Sequence, residues 1–182
     1  MYIILGIIGV FVLYFVFKYN NFVSLKTRAE EAWADIEVQL KRRYDLIPNL
    51  VSTVKGYATH EQTAFEKVTE ARAKAMSAHS MGEHSSSEKM LGGALTGLFG
   101  IAEAYPELKA NTNFIELQRE LSDTENKIQA SRRFYNGNVR ALNENIQMFP
   151  GNIIAGIFKF MKMEFFDIDD NGPESKPVEV KF

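Results

Sequence analysis

AWADIEVQLKRRYDLIPNLVSTVKGYATHE, residues 32–61, reads as the end of one long helix, a corner, and the start of another. Ala29, Ala32, Ile36 and Leu40 recur at helical spacing on one face, with Trp33 beside them. The basic cluster Lys41, Arg42, Arg43 falls where the first helix would end and complements the negative pole there. Asp45 can cap the next helix, and Pro48 fits its first turn, where a missing N–H leaves no intrahelical partner unserved. Leu46, Leu50, Val54, Tyr57 and Ala58 then resume the apolar face. These residues alone predict a hairpin of long helices.

Outward from that hairpin, the preceding residues change character. Residues 1–17, MYIILGIIGVFVLYFVF, contain no charged side chain. At helical rise they cover roughly 25 Å, just short of a bilayer core. Lys18 can snorkel and Tyr19 can sit at the interface, which makes up the difference. No basic region precedes the run and no small-residue cleavage site follows it, so it reads as an anchor that is kept. The anchor residues are Ile3, Ile4, Leu5, Ile7, Ile8, Val10, Phe11, Leu13, Phe15, Phe17 and Lys18. Lys18, Lys26 and Arg28 all follow the run, which predicts the N-terminus outside and the domain in the cytoplasm.

Residues 18–43 hold neither Pro nor Gly, so anchor and bundle are expected to share one helix. The second helix is predicted to continue through Phe65, Val68, Ala71 and Ala75 to about Ala78, with Gly56 inside it. SAHSMGEHSSSEK, residues 77–89, is small, polar and aperiodic, and reads as a loop. MLGGALTGLFGIA, residues 90–102, is apolar on every side and predicts a third helix buried on most of its surface. Gly93 and Gly97 would also let another helix approach closely, so a subunit contact is the alternative. Ala104-Tyr105-Pro106 ends that helix.

From Thr112 or Asn113 a last long helix begins. Leu117, Leu121, Thr124, Ile128, Ser131, Tyr135, Asn138 and Leu142 alternate by four and three, a coiled-coil-like seam. Its polar members, Thr124, Ser131 and Asn138, either fix register or line a polar channel. Phe149-Pro150-Gly151 stops the helix. The fold class is therefore all-α: an N-terminal transmembrane helix continuing into an antiparallel bundle of about four long helices. The division expected is an anchor over 1–18, a bundle over 19–149, an aromatic and basic segment over 150–167, and a disordered tail over 168–182.

Three blocks, AWADIEVQLKRRYDLIPNLVSTVKGYATHE, EAYPELKANTNFIELQRELSDTENKI and YNGNVRALNENIQMFP, in that order, resemble the LemA family of bacterial membrane proteins. The likeness runs from about Tyr19 to Phe166. It implies a single N-terminal membrane helix, an antiparallel bundle and residence in the bacterial inner membrane. It implies no catalytic residue and no cofactor. That family often carries glycine where this chain has Lys159 before Phe160, a departure that touches only the local turn.

The chemistry legible in the residues is sparse. A net charge of −2 gives no basic field for nucleic acid, and with no cysteine the chain has no thiolate ligand, thiol nucleophile or disulfide. The residues three before His60, His79 and His84 are Tyr57, Met76 and Met81, so the Glu-x-x-His pattern of a di-iron bundle is absent. His79 and His84, with Glu83 between, cannot close a metal site from one loop, and no metal or cofactor is expected. Tyr57, His60 and Glu61 form the one cluster with acid–base potential, set against a plain solvated helix face.

Arg42 and Arg43 at the bundle's tip complete a helix terminus or hold an anion. Alternating helix directions would bring residues 77–89 and the segment after Pro150 near the bilayer. That segment mixes Ile and Met with Phe158, Lys159, Phe160 and Lys162, a composition suited either to the headgroup boundary or to capping the bundle's end. The functional expectation is a non-enzymatic scaffold or adaptor that contacts membrane lipid, self-associates and presents a surface to membrane-protein partners. The alternatives are a regulatory partner of a membrane protease or sensor kinase, or an enzyme working near Tyr57, His60 and Glu61.

Overall fold

A computed structural model describes residues 1–167. The expected tail over 168–182 lies outside the described residues. The elements are α1 (Tyr2–Lys55), α2 (Gln62–Met76), α3 (Met81–Ala102), the short α4 (Pro106–Lys109), α5 (Thr112–Gln147) and α6 (Gly151–Phe158), with no strand among the described residues. The all-α bundle is as the apolar periodicity predicts.

The corner, however, is misplaced by the sequence reading. α1 does not stop near Arg43; it runs through Pro48 to Lys55, and the chain turns at 56–61. A proline inside a helix leaves the carbonyl four residues earlier without a donor. Here that carbonyl belongs to Tyr44, and Arg72 Nε of α2 donates to it at 2.7 Å. The defect is met by a neighbouring helix, so the helix continues. Asp45 is consequently an exposed mid-helix residue, not a cap.

Residues 77–89 are likewise not one loop. Ser80 accepts from the Glu83 backbone N–H, and the Glu83 carboxylate accepts from the Ser80 N–H. This reciprocal cap starts α3 at Met81.

The chain divides into two compact units. The first comprises Met1–Val38 and Ile128–Phe165. In it the early part of α1 runs antiparallel to the late part of α5, with Phe22, Leu142, Ile154 and Ala155 as buried core. Trp33 packs against Tyr135 at 5.6 Å between ring centroids. Residues 2–14 and 16–17 are exposed, and α1 is the one described helix long and apolar enough to cross a membrane.

The second unit holds Gln39–Lys127 together with Phe166. It is a four-helix bundle made by the end of α1, α2, α3 and the start of α5. Leu40, Ile47, Leu50, Val54, Val68, Leu91, Leu98 and Leu121 fill its centre. α3 buries Leu91, Leu95, Leu98 and Ala102 along one stripe and leaves Met90, Gly93, Gly97 and Gly100 exposed. It is not covered on most sides, because its small residues face away from the stripe that packs.

Candidate functional site

In the second unit the buried polar groups are joined to one another. Arg43 of α1, 5% exposed, is ion-paired with Glu88 of α3, itself 1% exposed, and its Nη1 donates to Glu125 of α5 at 2.6 Å. The Tyr44 hydroxyl donates to the other Glu88 oxygen. With Arg72 on the Tyr44 carbonyl, all four long helices meet at this node. Burial pushes the Tyr44 phenol above its usual range, against the opposing pull of Arg43. The node corrects the expectation for Arg43: it is neither a helix terminus nor an anion site at an open tip, because α1 continues past it and α3 covers it. Arg42 stays exposed, 3.9 Å from Glu120.

Tyr57, His60 and Glu61 lie in the α1–α2 turn rather than on a helix face. Tyr57 accepts from Asn111 Nδ2 at 2.9 Å, a tie across the bundle end. Glu83, grouped with His79 and His84 in the sequence, is occupied by its cap: N–H groups of His79 and then Ser80 hold its carboxyl below the usual range. Among the described residues no three His, Cys, Asp or Glu side chains are grouped for a metal. Thr124 and Asn138, two of the three polar seam residues of α5, donate to Glu120 and Phe134 carbonyls of their own helix, so neither of the two opens a channel.

The turn at 77–80 joins α2 and α3, both within the second unit. The segment after Pro150 returns to the end of the apolar run, within the first unit. α6 buries Gly151, Ile154 and Ala155. A Cβ on Gly151 would stand 2.4 Å from the Asn145 carbonyl oxygen and 3.5 Å from Phe22 Cζ, so only glycine fits this approach. Phe158 meets Phe15 and Tyr19 at 5.8 and 4.6 Å between centroids, and Phe160 stacks on Phe22 at 5.0 Å.

Lys159 takes φ 57° to end α6, a left-handed conformation that glycine adopts more readily. After it the chain is extended and stapled to α5. Asn143 Nδ2 donates to the Met163 carbonyl at 2.9 Å, and Met163 N–H donates back to Asn143 Oδ1 at 3.0 Å. The Tyr135 hydroxyl donates to the Glu164 carbonyl at 2.8 Å. The spacing places Tyr135 in the seam but says nothing of its bond, and it passes over Asn143, whose one available signal is a polar residue next to the seam residue Leu142. Lys18, expected to reach for water, donates to Asn145 Oδ1 at 3.3 Å.

The packing of this segment uses only part of its apolar surface. Phe149 is 80% exposed, Met161 81% and Ile157 59%, with Ile153, Phe158 and Phe165 each about half exposed. Lys159 and Lys162 are exposed among them. The capping and membrane-facing expectations are therefore compatible: one face packs on α1 and α5 and the other is bare.

The LemA family model matches residues 32–182. Among curated proteins, the magnetosome protein MamQ of Magnetospirillum gryphiswaldense is 25% identical over 175 residues, covering 82% of this chain and 64% of its own. Protein LemA of Metamycoplasma hominis is 28% identical over 174 residues, covering 89% of this chain and 78% of its own. The chain thus spans slightly less than two thirds of the magnetosome relative's length.

Proposed function

Since this chain belongs to the LemA family of membrane-associated proteins, we propose that it is a single-pass, non-enzymatic scaffold that self-assembles at the bacterial inner membrane. Residues 1–18 span the bilayer with the N-terminus outside, and the bundle lies in the cytoplasm. The observation that carries this reading is α1 itself, one helix from the apolar run to Lys55, so that the anchor and the bundle share a single element. Anchoring confines copies to a plane and raises their effective concentration for one another. The exposed Gly93 and Gly97 stripe of α3 is the surface proposed for contact between copies. Names of the relatives, a magnetosome protein and LemA, are not those of enzymes, which supports a structural role.

The native mass of the intact protein in mild detergent tests the reading. A discrete homo-oligomer is expected, and Gly93→Leu or Gly97→Leu dissociates it. A Cβ at either position meets no heavy atom within 4 Å, so the added side chain starts in open space, and an unchanged helical circular dichroism spectrum checks that the fold is kept. A monomer at all concentrations removes self-assembly and directs attention to a different membrane-protein partner. Protease added outside spheroplasts leaves the bundle uncut in the proposed orientation, and cleavage would reverse it.

A further inference from the structure

We infer that the outer face of residues 149–165 is a second membrane contact, a collar seated in the headgroup boundary of an anionic bilayer around the base of the anchor. The inference rests on residues 1–18 spanning that bilayer.

Three observations converge. The first is position. Phe158 packs on Phe15 and Tyr19, so α6 ends beside the place where the apolar run gives way to Lys18. A helix docked there is at the level where a bilayer core ends and the headgroups begin. The bare surface is continuous with the apolar one that precedes it.

The second is composition. Phe149, Ile153, Ile157, Met161 and Phe165 are at least 46% exposed, although Ile154 and Ala155 of the same segment are buried. The segment is apolar on two faces and the protein covers one. Exposed Lys159 and Lys162 alternate with these side chains. Apolar groups interleaved with lysines match the boundary between acyl chains and anionic headgroups, where each lysine adds attraction.

The third is fixation. The Asn143 clamp on Met163 and the Tyr135 bond to the Glu164 carbonyl hold the extended stretch against α5. Met161 therefore stands outward as part of a built surface and is not a fraying end.

The chain has no cysteine, so single-cysteine variants of the full protein each carry one environment-sensitive fluorophore. Probes at Ile157→Cys and Met161→Cys, reconstituted in vesicles of mixed neutral and anionic phospholipid, report the collar. Ile7→Cys reports the span. Val38→Cys, on an exposed residue roughly 30 Å further along α1 than Lys18, reports water. Lipids brominated at shallow or deep acyl positions quench each probe according to its depth.

The expected result is shallow quenching at 157 and 161, deep quenching at 7 and none at 38, with the collar signal stronger when anionic lipid is present. Water-exposed, unquenched probes at 157 and 161 beside a quenched Ile7 site overturn the collar and leave the anchor standing. An unquenched Ile7 site overturns the anchor, and the collar with it. Probes at 157 and 161 shielded from both water and lipid overturn the collar as well, since another protein surface then covers it.

Discussion

Replacing Arg43 by methionine isolates the buried node. The change keeps most of the side-chain volume and removes the cation. The Arg43 and Glu88 side chains are 6% and 0% exposed, so the Glu88 carboxylate would keep the Tyr44 hydroxyl and lose its counter-charge. Removing one member of a buried pair costs about 3–5 kcal/mol, because the other charge is left uncompensated.

An independent bound comes from proton uptake. A carboxyl group in an unfolded chain titrates near 4.3, so taking up a proton at pH 7 costs about 3.7 kcal/mol, and at pH 5 about 1 kcal/mol. Neutralising the stranded carboxyl therefore caps the electrostatic loss at those values. In the variant this carboxyl is protonated more readily folded than unfolded, so the stability deficit grows with pH and shrinks toward pH 5. The assay is thermal unfolding of the full protein in detergent, followed by circular dichroism at pH 5 and pH 7. At about 2–4 °C per kcal/mol for a chain of this size, the variant melts on the order of 10 °C lower at pH 7 and recovers most of the difference at pH 5. Arg43→Met, Glu88→Leu and Tyr44→Phe together lie within about 1 kcal/mol of the parent, since an apolar cluster replaces the ionic one and no hydroxyl is left without its acceptor. A single variant within about 0.5 kcal/mol of the parent at pH 7, or a deficit independent of pH, would refute the reasoning.

Three further outcomes follow from the geometry. Arg72→Leu strands the Tyr44 carbonyl and is expected to cost about 1–3 kcal/mol by chemical denaturation, whereas adding Pro48→Ala supplies a backbone N–H and recovers much of it; no recovery would mean that Arg72 acts elsewhere. Gly151→Ala drives a Cβ to 2.4 Å from a backbone oxygen and is expected to cost about 1–3 kcal/mol, read by Trp33 fluorescence during denaturation; an unchanged midpoint would contradict the close approach. Tyr44 has a raised pKa through burial, so its neutral form favours the folded state; that stability is present below about pH 10 and is lost as pH rises through the folded value. Alkaline melting curves should therefore decline above about pH 10 and flatten in Tyr44→Phe, and identical curves would place the loss at another group.

Periodicity made most of the bundle legible. Phe22, Ala29, Ala32, Ile36 and Leu40 on α1, and Leu121, Thr124, Ile128, Tyr135 and Leu142 on α5, are buried as their spacing predicts. Side-chain period depends only on the helix's own geometry, so it survives without knowledge of partners. Ser80 and Glu83 were also readable: the box S-x-x-E sits in plain view, hidden only by the serine-rich composition around it.

Terminators are another matter. Pro48 and the cluster from Lys41 to Arg43 look like the end of a helix when judged by neighbours in sequence. Whether a proline stops a helix depends on whether the carbonyl it abandons finds another donor, and here the donor is Arg72, on the next helix. The node has the same character. Arg43 gains its partner from Glu88, which lies in a stretch that composition assigns to a polar loop, and Glu88 becomes a core residue only because the Ser80 cap makes that stretch helical. One missed cap therefore hid two things at once, the true length of α3 and the burial of a charged pair. The segment after Pro150 shows the converse. Its composition suits either a headgroup contact or a cap, but which side chains stay bare is set by the close approach of Gly151 to the Asn145 carbonyl and by the Asn143 amide on the Met163 backbone, contacts that a hydropathy pattern does not register.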